Sequence, residues 1–269
     1  MIILKDGEYY GQIKTEFRTN EYILSQYSYD IPRTDWHYHE DPYFMYLLQG
    51  KVFDVNQKRE TRCNAGTLLF HNWQEKHFNS KYSKEAKGFH IELKQESLNQ
   101  LLENRTLLEG SNLVKDPDSH ILIGKIYHEF MVQDSFSKIG IDSLIIQLVD
   151  GINKNISIKA NTSKWLHELT NIVYEEKELQ SLKELSERLG VHPVHISRTF
   201  SKLYGCTLSE YIRMVKVKKS IPLILTKKLS LGEIAYMCGF SDQSHFSRTF
   251  KYYFRVSPNR YNGKGALKC

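Results

Sequence analysis

No run of about 18 apolar residues occurs anywhere in the 269-residue chain, so the sequence offers no membrane-spanning helix. Cysteine is scarce and scattered. Cys63, Cys206, Cys238 and Cys269 include no Cys-x-x-Cys pair, which excludes a disulfide framework and a thiolate zinc site and predicts reduced thiols. The start, Met1-Ile2-Ile3-Leu4-Lys5-Asp6, lacks the extended apolar core of a signal peptide, so the expected location is cytoplasmic. Acidic residues are few in the last third. Residues 181–269 hold 16 Lys and Arg against 5 Asp and Glu, a net of +11 in a chain whose total is +6. Residues 1–110 carry −2 and residues 111–180 carry −3. Such a block suggests a polyanionic partner, nucleic acid or an anionic membrane surface, with a merely solvated basic face as the alternative.

What is present is a core. Hydrophobic residues make up 41% and aromatics 12%, which excludes a disordered chain. The pattern changes twice along the sequence. From about residue 20 to 93, short β-branched and aromatic runs at 43–48, 52–55, 67–70 and 89–93 alternate with turns such as Gln49-Gly50 and Asn64-Ala65-Gly66. Strands this short and close leave no room for crossover helices, so a sandwich or barrel is expected. From Gln95 the apolar period becomes helical, with Leu98, Leu101 and Leu102, then helices near 121–131 and 139–152. Ser119 is the expected N-cap of the first of these two. The polar stretch 153–162 marks the expected boundary, and from Ser163 everything reads helical.

The basic third contains an internal repeat. Leu182-Lys183-Glu184-Leu185-Ser186-Glu187-Arg188-Leu189-Gly190 matches Leu231-Gly232-Glu233-Ile234-Ala235-Tyr236-Met237-Cys238-Gly239. Each copy opens after a serine, Ser181 or Ser230, with Glu three residues later, which is a capping box. Each closes on glycine, the residue favoured just past a helix end. Then follow Ile196-Ser197-Arg198-Thr199-Phe200 and Phe246-Ser247-Arg248-Thr249-Phe250. The glycine offset is 49 and the later offset is 50, so the second turn is one residue longer. Helix, short glycine-containing turn, helix is the helix-turn-helix pattern. A single copy would read as an ordinary helical hairpin. Two copies in the basic block make a nucleic-acid reader the stronger reading.

On the second helix of each copy, Ile196, Phe200 and Leu203, and Phe246, Phe250 and Tyr253, should face the core. Val194, His195, Ser197, Arg198, Ser201 and Lys202 are left outside in the first copy. Gln243, Ser244, Ser247, Arg248 and Lys251 are left outside in the second. Arg can pair bidentately with guanine and Gln with adenine, while Ser and Lys serve phosphates.

The run from Ile234 through Gly239-Phe240-Ser241-Asp242-Gln243-Ser244 to Phe254, followed by Ser257-Pro258-Asn259-Arg260-Tyr261, closely resembles the signature of AraC/XylS-type bacterial transcription regulators. The resemblance covers about residues 163–262. It implies an all-α domain of seven helices, with two helix-turn-helix modules joined by a long helix at 208–226. Both recognition helices would enter successive major grooves on one face of double-stranded DNA. By position it makes Val194, Ser197 and Arg198, and Gln243, Ser244, Ser247 and Arg248, the base-reading set. Pro222 departs from the pattern, since it stands in the connecting helix where a kink is expected.

In the N-terminal half, His37-Tyr38-His39, then Gly50, then Gly66 followed by His77, resembles the cupin pattern common in these regulators. His37 and His39 are two apart in an extended segment and share a face. Where cupin enzymes place a glutamate ligand this chain has Tyr43, and Asn64 stands where a proline is usual. His37, His39, Tyr43 and His77 are therefore read as polar lining of an effector pocket and not as a metal site. A filled barrel with satisfied histidines is the alternative. Trp36, Tyr38, Phe44, Tyr46 and Trp73 read as core aromatics.

Taken together, these features describe an α+β chain of two domains. Residues 1–155 form a cupin-like sensor and dimerisation domain, with barrel strands at about 20–93 and helices at about 95–155. Residues 160–269 form the DNA-binding domain. In relatives the helices after the barrel form a dimer contact, and the stripe Ile141, Leu144, Ile145, Leu148 and Val149 could serve that contact or pack on the barrel. The function implied is a homodimeric, ligand-responsive transcription regulator, an activator by family habit. It has no cofactor, an unidentified small-molecule effector, and RNA polymerase as a further candidate partner. Two other readings stand beside it, an effector-free DNA-binding regulator and a metal-dependent cupin enzyme with a DNA-binding tail. Tyr43 and the lack of any other acid–base constellation speak against the enzyme.

Overall fold

The computed structural model describes residues 2–72, 75–81, 83, 85–101, 110–160, 163–176 and 181–261, with backbone only at 81 and 155–160. Trp73, Leu102 and Cys269 lie outside the described residues. The chain divides into two compact units, 1–153 and 154–269.

The first unit is built on two sheets. Its strands are β1 (Ile2–Leu4), β2 (Gln12–Arg18), β3 (Tyr22–Tyr29), β4 (His37–His39), β5 (Tyr43–Gln49), β6 (Lys51–Asn56), β7 (Glu60–Asn64), β8 (Leu68–His71), β9 (His77–Lys81), β10 (Ala86–Leu93) and β11 (Asn112–Val114). One sheet has the order β1-β4-β9-β6-β7 and the other β11-β8-β5-β10-β3-β2. β1 and β4 pair parallel, whereas the central pairs β10–β3, β10–β5 and β6–β9 are antiparallel. β5 lies between β8 and β10 and is buried on both faces, which explains its unbroken apolar run. Tyr43, Met45 and Leu47 point inward to pack with Tyr27, Tyr29 and Leu69. Phe44 meets Phe70, and Tyr46 faces His120 on a covering helix. Trp36 and Tyr38 are not core residues. Trp36 is exposed and Tyr38 half-buried, because His37 and His39 take the inward positions of β4 and alternation turns their neighbours outward. Gly88 is required on β10, because a Cβ there would fall 2.2 Å from the Tyr27 hydroxyl oxygen. Apolar runs reveal β5, β6, β8 and β10. They do not reveal the short, polar strands β4, β7 and β9, which flank or extend from β6 in its sheet.

Three helices follow: α1 (Gln95–Leu101), α2 (Pro117–Val132) and α3 (Ser137–Ala160). α2 is not capped by Ser119. Asp116 is its N-cap, Pro117 opens the first turn, and the Ser119 amide donates to Asp116 Oδ1 at 2.8 Å. Proline at the first helical position costs no bond, so the cap falls one residue before it. The stretch 153–160 is helical as well, because α3 runs on through it. Of the α3 stripe, Ile141, Ile145, Leu148 and Val149 are buried within the unit, and Tyr22 Oη donates to Asp142 Oδ1 at 2.7 Å. These four are covered within the chain itself, while Leu144 of the same stripe is half-buried.

The second unit holds α4 (Lys164–Glu175), α5 (Leu182–Leu189), α6 (Pro193–Tyr204), α7 (Leu208–Thr226), α8 (Leu231–Met237) and α9 (Gln243–Phe254), with a further helical turn at 258–261. Leu166, Leu169, Leu185, Ile196, Phe200, Tyr211 and Val215 form one core cluster. Phe240, Phe246, Phe250, Phe254 and Tyr261 stack in a second, with ring centroids 4.4–5.8 Å apart. α7 runs through Pro222 as one helix. Only four residues follow the proline, so little helix remains beyond it to be redirected.

Candidate nucleic-acid interface and histidine cluster

The two modules are closed by the same local chemistry. Ser181 Oγ accepts from the Glu184 amide at 3.3 Å, and the Glu184 carboxylate accepts from the Ser181 amide at 2.6 Å. Ser230 and Glu233 repeat this at 3.3 and 2.8 Å. At the other end the amides of Val191 and Phe240 reach back to the carbonyls of Ser186 and Ala235, past Gly190 (φ 63°) and Gly239 (φ 76°). That is the same glycine-terminated helix end twice. From the glycine to the next helix is one residue longer in the second copy, as the offsets require. A third capping box, Thr207 with Glu210, starts α7.

The recognition helices are anchored by apolar knobs. Ile196 and Phe200 on α6, and Phe246 and Phe250 on α9, are fully buried. Leu203 and Tyr253 are half-buried. On α6, Val194, His195, Ser197, Arg198, Ser201 and Lys202 are exposed. On α9, Gln243, Ser244, Arg248 and Lys251 are exposed, while Ser247 is half-buried. Positions 194, 197, 198 and 201, and positions 244, 247, 248 and 251, follow i, i+3, i+4, i+7 and so share one helix side. His195 lies against Trp165 of α4, ring centroids 5.7 Å apart, which ties it to the module's own flank. Arg248 lines a groove with Arg213 and Glu210 of α7 and with Tyr252 and Tyr253.

In the first unit the four expected effector residues come together inside the barrel, and all are buried. The centroids of His37 and His77 are 4.4 Å apart, as are those of His39 and Tyr43. Tyr43 Oη and His77 Nε2 are 3.0 Å apart. His77 Nδ1 lies 3.0 Å from the Glu75 carbonyl, and His37 Nδ1 lies 2.8 Å from that of Asp35. A carbonyl only accepts, so Nδ1 carries the proton in both rings and each Nε2 keeps its lone pair. Tyr43 is then the donor to His77. Burial, reinforced by neighbouring histidines, lowers the pKa of His71 and His77 to about 3 and that of His39 and His90 well below normal. These imidazoles are neutral at pH 7.

The same space holds groups that the spacing of His37, His39 and His77 does not reveal. Asp54, His71, His90 and Glu92 are all buried there. Tyr9 covers the cluster, its ring 4.1 Å from His90 and 5.1 Å from His39 by centroids. Its hydroxyl donates to Glu92.

A family model described as a helix-turn-helix domain matches residues 185–264. The probable transcription factor PqrA of Proteus vulgaris is 32% identical over 83 residues, which is 31% of this chain and 68% of PqrA. This chain belongs to the AraC/XylS-type family of bacterial transcription regulators. The multiple antibiotic resistance protein MarA of Escherichia coli is 36% identical over 81 residues, 30% of this chain and 64% of MarA. A crystal structure of ToxT from Vibrio cholerae aligns with 92% of this chain and 100% of its own at 14% identity, with a TM-score of 0.39.

As an AraC-type regulator, the chain carries in its basic unit the DNA-binding module of a transcription regulator. Arg213, Tyr236 and Tyr252 are further residues at this module that the repeat does not single out. Tyr236 is 81% exposed and Tyr252 66% exposed, so both rings stand on the module's surface. The signal for them is their place one position outside the apolar seam of α8 and α9.

Proposed function

We propose that this chain is a homodimeric, ligand-responsive regulator that activates transcription by reading duplex DNA with α6 and α9. It works in the cytoplasm, performs no catalysis, and engages RNA polymerase as a partner once on DNA. Residues 160–269 carry DNA binding and residues 1–155 carry sensing and dimerisation. The observation that supports this most is the pair of helices with buried phenylalanines on one side and Ser, Arg, Gln and Lys on the other, in a block of net charge +11. Arg198 and Arg248 read bases, and Lys202 and Lys251 meet phosphates. The exposed α3 face of Ile139 and Ile146, continued by Phe136, is the apolar surface for the second copy. A second reading, an effector-free regulator, is favoured by one feature: Tyr9 already packs over the histidine cluster.

The test is chromosomal occupancy of the full chain with and without candidate metabolites, together with sedimentation of the pure protein. The proposal expects a dimer, and discrete promoter-proximal sites whose occupancy responds to one metabolite. Discrete but unresponsive sites would favour the effector-free reading. Occupancy that follows DNA content alone would remove both.

A further inference from the structure

Inside the barrel, beyond the His37–His39 pair, three buried side chains from three different strands converge. Asp54 comes from β6, His71 from β8 and His77 from β9. One ligand atom from each lies within 4.8 Å of the other two. We propose that Asp54, His71 and His77 form a binding site for one divalent transition-metal ion.

The geometry carries this in three ways. First, His71 Nε2 makes no hydrogen bond although the ring is buried, and Asp54 Oδ2 stands 3.4 Å from it. Two donors each about 2.0–2.1 Å from a tetrahedral ion are about 3.4 Å apart, so this pair already has the spacing of adjacent ligands. Second, every ligand is held by a neighbouring polar group. Ser111 Oγ holds His71 Nδ1 at 2.9 Å, the Glu75 carbonyl holds His77 Nδ1 at 3.0 Å, and Asn79 Nδ2 donates to Asp54 Oδ2 at 2.9 Å. The Glu75 carbonyl only accepts, so it fixes the His77 tautomer that leaves Nε2 for a metal, and the Ser111 hydroxyl can accept from His71 Nδ1–H in the same tautomer. Third, the donor set is two imidazoles and one carboxylate. That set suits zinc, iron(II) and cobalt(II) and is poor for calcium or magnesium, which take oxygen ligands. The Tyr43 hydroxyl, 3.0 Å from His77 Nε2, occupies that lone pair without an ion and must turn aside when one binds. His37 and His39 form a separate three-histidine grouping with His77. The proposed site shares only His77 with that grouping.

The test uses the full chain, stripped with chelator and titrated with cobalt(II) and then zinc. The readouts are visible absorption, metal content after desalting, and melting temperature. The proposal expects one ion per chain, and a melting temperature that rises with metal concentration. Asp54→Asn and His71→Gln should each weaken binding tenfold or more. Ser111→Ala, which removes only the support behind His71, should weaken it about 10–100-fold. Circular dichroism of each metal-free variant shows that it is folded. If Asp54→Asn does not fold, His71→Gln and Ser111→Ala decide. A wild-type chain that takes up no stoichiometric cobalt or zinc would overturn the proposal. So would wild-type affinity in folded His71→Gln and Ser111→Ala, since the ion would then sit elsewhere.

Discussion

Lys216, on the connecting helix α7, donates from Nζ to the carbonyl of Gly239, the glycine that closes the first helix of the second module. Burial lowers the pKa of this lysine, and its ammonium also lies 5.8 Å from the Phe240 ring centroid. One side chain thus fastens the long helix to the turn that sets the angle of α9. Lys216→Met keeps the apolar stem and removes the donor. It should lower stability by about 1–2 kcal/mol, seen as an earlier urea midpoint, because a partly buried carbonyl loses its partner. A midpoint equal to wild type would mean that the contact fastens nothing.

The paired capping boxes should act independently. Ser181→Ala and Ser230→Ala should each destabilise by about 1 kcal/mol, and the double substitution by about the sum, since the two caps share no partner. Urea unfolding of the three variants checks this. A double substitution no worse than either single one would show that the two modules do not unfold as one cooperative unit.

Burial pushes the thiols of Cys63 and Cys238 up to about 12, so neither is a thiolate near neutral pH. Iodoacetamide at mildly alkaline pH should leave both unmodified in the native chain and alkylate both in urea, with peptide mass spectrometry as the readout. Rapid native alkylation of Cys238 would mean that the second module opens easily.

Arg248 and Lys251 lie three residues apart on the exposed side of α9. Arg248→Ala should cost about 1–3 kcal/mol on a preferred duplex and relax preference at one base pair. Lys251→Ala should weaken all duplexes alike and reduce the salt slope by about one unit. Titrations of a preferred and a scrambled duplex at several salt concentrations separate the two. Equal loss on both duplexes for Arg248→Ala would reduce that arginine to a counter-charge.

The second unit is far more legible in the sequence than the first. Its helices are short, amphipathic and punctuated by Ser181, Gly190, Ser230 and Gly239, so caps and turns follow from local chemistry that acts within five residues. The repeat makes Ile196 the counterpart of Phe246 and Phe200 the counterpart of Phe250, and all four are buried. The barrel depends on pairing between distant strands. His71 and Asp54 are 17 residues apart and meet only because β5 and β8 belong to one sheet and β6 and β9 to the other. No local periodicity carries that. Ser119 shows the limit in a single turn: serine is a good cap, but Asp116 followed by Pro117 is a better one.

If α6 and α9 read two separate stretches of one DNA sequence, selection of duplexes from a random pool by the full chain reveals both. The selection is repeated with Arg198→Ala and with Arg248→Ala. The expected result is an enriched site with two short motifs about 10–10.5 base pairs apart, one helical turn. Arg198→Ala should relax one motif and Arg248→Ala the other. Enrichment of no sequence by the wild-type chain, or loss of both motifs together in either variant, would contradict two-helix reading.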